Sequence, residues 1–200
     1  MLHTLPSPHS PFTTDGGTFI NVADKDFAVR VWGVESGRLA HALSGHSQSV
    51  WGVAFSPDGT RVVTSGWDDT VRCWDAATGR QLHSFAGPGG NVPFLAGGRR
   101  VAYGRGREVY VPDASDGTEY PSLIGHDKVV ATVAASADGS RVMSGGNDGL
   151  AILWDAATGG KLCELRGHTE GVTGVAFSGD GRSAITGSSD KTVRLWRLPK

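Results

Sequence analysis

Three segments of the chain each hold a histidine, a hydroxyl-bearing residue, an aspartate and a tryptophan in the same order and at the same spacing. The three sets are His46, Thr64, Asp68 and Trp74; His126, Ser144, Asp148 and Trp154; and His168, Thr186, Asp190 and Trp196. A hydroxyl, a histidine and an aspartate are the components of a hydrolase triad, in which the histidine takes the hydroxyl proton and the aspartate orients the histidine. The spacing therefore raises the question of nucleophilic catalysis.

The same residue types also suit a structural role. Tryptophan has one N–H donor, a hydroxyl both donates and accepts, histidine has two ring nitrogens and aspartate accepts, so the four satisfy one another when placed in line. A buried chain of hydrogen bonds of this kind stiffens a fold. Three copies favour a structural tetrad over a single active site, and no HExxH, P-loop or GxSxG motif accompanies them. We therefore predict no catalytic residue, no enzyme activity, no metal and no cofactor.

Composition and charge favour a soluble globular protein. The chain has 200 residues, of which 38% are hydrophobic, and a formal net charge of −1, which does not indicate a basic surface for nucleic acid. Cys73 and Cys163 lie in separate segments without CxxC spacing, which favours a reduced compartment. No apolar stretch has the length of a signal-peptide core or a transmembrane helix. We predict a cytoplasmic protein that binds neither nucleic acid nor membranes, and the excess of arginine over lysine favours a GC-rich, bacterial source.

The tryptophans mark a repeat that accounts for the spacing of the tetrads. Trp32 and Trp74 are 42 residues apart, as are Trp154 and Trp196. Within each unit, short valine-rich runs such as VWGVAF at 50–55 alternate with turns that contain glycine. Four short antiparallel strands per unit, joined by tight turns, are typical of a propeller blade.

The ordered motifs within each unit resemble those of the WD-repeat β-propeller family. They are a Gly-His pair, an S-x-D-G turn, the pattern S/T-G-x-x-D and a strand that ends in Trp-Asp; the phrase WDAATG stands at both 74–79 and 154–159. The resemblance implies an all-β β-propeller of about five four-stranded antiparallel blades in one domain, 1–200, from a short or truncated bacterial member of the family. It also implies that the three tetrads are structural. The expected blades are 8–44, 45–86, 87–124, 125–166 and 167–200.

Two units depart from the pattern. In the first unit Trp32 and Asp26 are present, but Val22 is expected at the hydroxyl position and Leu2-His3 at the Gly-His position. In the third unit all four tetrad positions are replaced, and the third unit is expected to be looser than its neighbours. The replacing residues are Pro88, Ala102, Gly106 and Pro112. Four arginines in this unit suit either a solvated face or an acidic partner: Arg99, Arg100, Arg105 and Arg107.

The alternating strand directions place the Gly-His loops and the tetrad aspartates on one face of the blades, which is the usual binding surface of the family. This face should display the third and fifth residues after each histidine and the residue before each aspartate. They are Ser49, Trp51, Trp67, Val129, Ala131, Asn147, Gly171, Thr173 and Ser189. Trp51 and Trp67 are the predicted anchors because tryptophan is enriched at the energetic centres of protein interfaces. The alternative is that both rings cap the core.

These features predict a non-enzymatic scaffold or adaptor that binds other proteins through a rigid face. Two alternatives stay open: a detached sensor or regulatory module of a larger protein, such as a kinase, and a ligand-binding or enzymatic propeller that uses its central channel. The expected channel residues Val53, Val133 and Val175 are apolar, which argues against the second. The blades form either a closed ring, with residues 2–5 as the fourth strand of the last blade, or an open arc whose edges and apolar flank favour self-association.

Overall fold

Short antiparallel strands make up most of the described part of the chain. The structure is a computed structural model that describes residue 13 and residues 15–22 and 26–199. The chain divides into two compact units, the first reaching Gly89 and the second starting at Gly90. Each unit consists of small antiparallel sheets, which we number in chain order.

The described residues of the first unit form two sheets. Sheet 1 consists of β1 (Thr18–Val22), β2 (Val29–Gly33) and β3 (Leu39–Leu43). Sheet 2 consists of β4 (Val50–Phe55), β5 (Arg61–Gly66), β6 (Thr70–Asp75) and β7 (Gln81–Ala86). In both sheets the strands lie side by side in chain order and neighbouring strands are antiparallel, which is the meander expected of a blade.

The second unit holds three sheets, preceded by a single 3-10 turn at Ala96–Gly98. Sheet 3 consists of β8 (Tyr103–Arg105), β9 (Glu108–Tyr110) and β10 (Leu123–Ile124). Sheet 4 consists of β11 (Val130–Ala135), β12 (Arg141–Gly146), β13 (Ala151–Asp155) and β14 (Lys161–Leu165). Sheet 5 consists of β15 (Val172–Phe177), β16 (Ser183–Ser188) and β17 (Val193–Arg197). Within the described ranges, no helix is long and apolar enough to cross a membrane.

The sheets differ in how many of the predicted strands they contain. Sheets 2 and 4 have four strands and sheet 5 has three, as predicted. Sheet 1 has three strands among the described residues. The strand at 2–5 that was predicted to complete the last blade, sheet 5, lies outside the described residues. In sheet 3 a single bridge between Phe94 and Val101 stands where a first strand was predicted, next to Pro93, which has no N–H to donate. The number of blades and their closure stay predictions.

Apolar side chains of facing sheets form the cores. In the first unit, one buried cluster joins sheets 1 and 2; in the second, one cluster joins sheets 3 and 4 and another joins sheets 4 and 5. Strand β12 faces a neighbour on both sides, because Val142 belongs to one of these clusters and Met143 to the other. A strand covered on both faces reads as a continuous buried run, as β12 does. The valines expected in a channel also pack against these clusters: Val53, Val133 and Val175.

The repeated turn sequences fix the ends of the strands. In the S-x-D-G turn of sheet 2, the Ser56 hydroxyl donates to Asp58 Oδ1 at 2.5 Å. In the WDAATG turn, the Asp75 carboxylate accepts from the Thr78 N–H at 2.8 Å and from the Thr78 hydroxyl at 2.7 Å. Gly79 then adopts a φ of 70°, which glycine reaches without steric cost. The repeated phrase thus closes the turn between the third and fourth strands of a sheet.

Candidate protein-binding site

The four tetrad residues of sheet 2 form one continuous chain of hydrogen bonds. Trp74 Nε1–H donates to Thr64 Oγ1 at 2.9 Å, Thr64 Oγ1 lies 2.7 Å from His46 Nε2, and His46 Nδ1 lies 2.9 Å from Asp68 Oδ1. Because a carboxylate can only accept, Nδ1 carries the imidazole proton and Nε2 accepts from the threonine hydroxyl. Each polar atom of the chain therefore has a partner of the right kind.

The structure brings the other two predicted sets together in the same way. In sheet 4 the distances between Trp154 Nε1, Ser144 Oγ and His126 Nε2 are both 2.8 Å, and His126 Nδ1 lies 2.9 Å from Asp148 Oδ2. In sheet 5 the three corresponding distances, along Trp196, Thr186, His168 and Asp190, are all 2.8 Å. All three hydroxyl-bearing residues are 0% exposed, so a substrate has no access to them.

The environment of the sheet 2 tetrad favours a neutral histidine beside an ionised aspartate. Burial by itself raises the pKa of Asp68, but hydrogen bonds from the Ser47 N–H, the His46 ring and the Thr70 hydroxyl outweigh burial and lower this pKa to about 2. Burial lowers the pKa of His46 even though the carboxylate beside it acts in the opposite direction. A neutral ring is required because a doubly protonated imidazole has no lone pair to accept the bond from Thr64.

Two kinds of donor to the tetrad aspartates were missed by sequence reasoning. The N–H of the residue after each histidine donates to the aspartate, from Ser47, Asp127 and Thr169 at 3.0, 2.9 and 3.1 Å. A threonine hydroxyl two residues after the aspartate also donates in sheets 2 and 5, from Thr70 at 2.8 Å and Thr192 at 2.6 Å. The threonines were visible as D-x-T in the sequence, whereas the backbone donors carry no sequence signal.

Sheet 1, formed by the first repeat unit, has a shorter version of the tetrad, and the prediction of Val22 at its hydroxyl position is wrong. Strand pairing places Asn21 there, and Trp32 Nε1–H donates to Asn21 Oδ1 at 2.7 Å. Asp26 accepts from the Ala28 N–H at 3.2 Å and pairs with Arg30. The turn is one residue longer than in sheet 2, because Asn21 and Trp32 are 11 positions apart whereas Thr64 and Trp74 are 10 apart, which shifts the alignment by one position. The predicted Leu2-His3 lies outside the described residues.

Sheet 3, formed by the third repeat unit, has a different polar centre. Strand pairing aligns Tyr103, and not the predicted Ala102, with the hydroxyl position, here because the turn is one residue shorter than in sheet 2. Asp113 is fully buried and accepts from the Ser115 N–H at 2.7 Å and from the Arg99 guanidinium. Arg99 also pairs with Asp116 at 2.9 Å.

Two more members of the predicted arginine cluster lie over aromatic rings. Arg100 lies over the ring of Tyr120, and Arg105 lies over the ring of Tyr110. Together with the Arg99 ion pairs, these contacts give three of the four arginines a partner within the chain. Favourable cation–π contacts of this kind lower the gain available from an external acidic partner.

Backbone hydrogen bonds link the predicted surface residues within each of sheets 4 and 5. The Asn147 N–H donates to the Val129 carbonyl at 2.9 Å, and the Ser189 N–H donates to the Gly171 carbonyl at 3.0 Å. A Cβ on Gly171 would lie 3.1 Å from Asn147 Oδ1, so the surface residues of sheets 4 and 5 are in contact. All six predicted residues except the half-buried Gly171 are exposed: Val129, Ala131, Asn147, Gly171, Thr173 and Ser189.

Sheet 2 presents two exposed tryptophans at the matching positions. The Trp67 N–H donates to the Ser49 carbonyl at 2.9 Å, the same bond that links Asn147 to Val129. Trp51 and Trp67 are 63% and 60% exposed, and their ring centroids lie 5.9 Å apart at an interplanar angle of 72°. This edge-to-face pair is a favourable aromatic geometry that orients the two rings relative to each other.

Repeated antiparallel sheets of three or four strands, four of the five with a tryptophan on the third or corresponding strand, define a propeller-like all-β protein among the described residues. The model of the WD domain, G-beta repeat, matches residues 37–75, 117–155 and 159–197, which is more than half of the chain. The chain therefore belongs to the WD40 repeat family. Each matched segment runs from the last strand of one sheet through the first three strands of the next. Proteins of this family generally mediate protein–protein interactions and are typically non-enzymatic.

Proposed function

We propose that this protein is a non-enzymatic scaffold that binds another protein, with Trp51 and Trp67 as the anchors of the binding surface. The observation that carries the proposal is the pair of tryptophans, about six-tenths exposed and held edge to face. Large rigid aromatic side chains supply contact area at a low entropic cost, which is why they dominate the energetics of protein interfaces. Rings that capped a core would be buried, so their exposure favours the binding role.

The tetrads have a structural role in this proposal. They hold the turns that carry the surface residues, because Trp67 directly precedes the tetrad residue Asp68, and Asn147 and Ser189 precede theirs. The fully buried hydroxyls support a frame and disfavour catalysis, since a nucleophile has to reach its substrate. No observation favours a channel enzyme, because the expected channel valines pack into the cores between sheets.

The experiment that tests the proposal uses a defined library of displayed random peptides. The whole chain is panned against the library, and the affinity of each selected peptide is measured for the wild type and for Trp51→Ala and Trp67→Ala. Loss of a central aromatic anchor is expected to weaken binding by about 2 kcal/mol or more, which is roughly 30-fold in Kd.

Tyr120→Ala provides the matched control, because Tyr120 is an exposed aromatic residue that lies outside the predicted surface. We expect its affinity for the selected peptides to equal that of the wild type. Peptides that bind all four proteins equally well would place the binding surface elsewhere and contradict the proposal.

A further inference from the structure

One face of sheet 5 exposes apolar side chains that are buried at the same positions of sheet 4. The three residues of this sheet 5 face are Ile185, Val193 and Leu195, which are 45%, 68% and 78% exposed. Their counterparts by strand pairing are Met143, Ala151 and Leu153, which are at most 1% exposed. Exposed aliphatic side chains on three neighbouring positions form an apolar patch, which in a soluble protein marks an interaction site.

A fourth strand beside β17 would not cover this face. Such a strand hydrogen-bonds to the edge of the sheet, whereas the sheet 5 face points out of the plane of the sheet. Sheet 4 has its fourth strand, β14, and its Met143 and Leu153 are nevertheless buried in a cluster with Val172 and Ala184 of sheet 5. Only another sheet packed face to face produces this burial.

The chain itself carries a surface of the kind that covers such a face. In sheet 5, the surface that packs on sheet 4 includes the partly buried tryptophan of the tetrad and the residue two positions after it, Trp196 and Leu198. Sheet 1 has Trp32 and Val34 at these positions, with Phe19 paired opposite Trp32. Val34 is 41% exposed whereas Leu198 is 7% exposed, so this sheet 1 face is partly open. We define the sheet 1 face as Phe19, Trp32 and Val34.

We propose that a second copy of this chain covers the sheet 5 face with its own sheet 1 face. The contact repeats between two chains the packing that joins sheet 4 to sheet 5 within one chain, so both surfaces already have suitable residues. A single contact of this kind joins two different surfaces and can extend to a third chain, whereas a dimer in which both pairs of faces meet is closed and has two-fold symmetry. The formal net charge of −1 per chain opposes this association only weakly. The proposal uses none of the residues of the proposed tryptophan surface and stands independently of it.

Molar mass measured on the full chain over a range of concentrations tests the proposal. We expect the wild type to assemble into a dimer or larger multiple of the 20.9 kDa chain. Leu195→Asp and Val34→Asp each place a carboxylate in the interface, and each should weaken assembly on the order of 100-fold or more. Both side chains are exposed within one chain, so circular dichroism of each monomeric variant should retain the wild-type strand signal.

Mixing the two variants tests the pairing directly. Leu195→Asp retains an intact sheet 1 face and Val34→Asp retains an intact sheet 5 face, so an equimolar mixture should form a 1:1 dimer that neither variant forms alone. Ile124→Asp is the matched control, because Ile124 is 72% exposed on β10 and belongs to neither face; its assembly should equal that of the wild type. A wild type that stays monomeric at about 100 times the concentration used for the variants, a control that dissociates equally, or a mixture that stays monomeric would each overturn the proposal.

Discussion

At each tetrad, one hydroxyl oxygen takes part in two hydrogen bonds at once. Ser144 Oγ accepts from Trp154 Nε1–H and donates to His126 Nε2, both at 2.8 Å. The residue is completely buried, so water cannot replace either bond. The same atoms that resemble a nucleophile and its base therefore use their full hydrogen-bonding capacity within the fold.

Ser144→Ala is expected to destabilise the protein strongly for a change of one atom. It leaves the Trp154 N–H and His126 Nε2 buried without a partner, and an unsatisfied buried polar group costs about 1–3 kcal/mol. The free energy of unfolding in urea, measured on the full chain by circular dichroism, provides the test.

Ser189→Ala is the matched control, since Ser189 is an exposed serine next to the tetrad residue Asp190. A surface change of this kind should alter the free energy of unfolding by no more than about 0.5 kcal/mol. Equal effects of the two substitutions would show that the buried chain of hydrogen bonds does not stabilise sheet 4.

The residues that sequence reasoning located at this scale are those in units of full length. All three complete sets come together at hydrogen-bonding distance, because a fixed repeat spacing carries over to a fixed strand register. Asn21 was missed since its turn is one residue longer than in sheet 2, and Tyr103 since its turn is one residue shorter. A shift of one residue in a strand exchanges its two faces. Turn length is not visible from the tetrad spacing alone.

At the scale of the elements, the turn after each tetrad aspartate requires a left-handed residue. The residues at this position are Phe27, Asp69, Gly149 and Lys191, with φ between 55° and 82°. In each turn the aspartate accepts from the N–H two residues later, for example from Leu150 to Asp148 at 3.1 Å. Only one of the four is glycine, so the sequence alone did not indicate this shared conformation. The hydrogen bond to the aspartate holds the other three in a region that L-residues disfavour.

Lys191→Gly is expected to stabilise the protein. Lys191 has a φ of 67°, and a residue with a Cβ pays roughly 1–2 kcal/mol for this conformation. Glycine removes that cost but gains entropy in the unfolded chain, which leaves a net gain of about 0.5–1 kcal/mol. Urea unfolding monitored by circular dichroism measures the difference.

Replacing the glycine at the same position of sheet 4 with alanine should lower the stability of the protein. Gly149→Ala combines a φ of 82° with a new Cβ only 3.1 Å from the His168 carbonyl oxygen, so we expect a loss of about 1 kcal/mol or more. Lys128→Gly serves as the control for Lys191→Gly, because Lys128 is an exposed lysine outside the left-handed positions, and it should lower stability. A Lys191→Gly protein less stable than the wild type would contradict the argument from φ.

At the scale of the whole chain, hydrogen-bonded carboxylates recur in every repeat. Besides Asp68 in its tetrad, Asp138 accepts from the hydroxyls of Ser136 and Ser140, and from the Ser140 N–H, and the Ser136 bond is the largest contribution that lowers its pKa to about 2. The pKa of Asp190 is also lowered, first by the Thr192 hydroxyl. These bonds distribute an acid-sensitive component of stability over both units.

The protein is therefore expected to lose stability in acid. A carboxyl with a folded-state pKa near 2 and an ordinary value of 3.8 stabilises the fold above pH 4, and this contribution disappears as the pH falls toward 2. For the well-buried Asp68 the contribution is on the order of 2 kcal/mol. His46 acts in the same direction, because its lowered pKa means that acidification below pH 6.5 favours the unfolded chain. Urea unfolding at a series of pH values between 7 and 2.5 measures the loss.

Asp138→Asn separates this linkage from general acid damage. The asparagine cannot be ionised, so the variant should be less stable than the wild type at pH 7 and should approach the wild type as the pH falls toward 2, since the wild type then loses the same charge. Asp127→Asn is the matched control for the loss of one carboxylate, because Asp127 is exposed and its backbone N–H is the group that bonds to the sheet 4 tetrad. It should change the free energy of unfolding at pH 7 by no more than about 0.5 kcal/mol. If the difference in free energy of unfolding between the wild type and Asp138→Asn stays constant from pH 7 to 2.5, the Ser136–Asp138 turn does not couple protonation to folding.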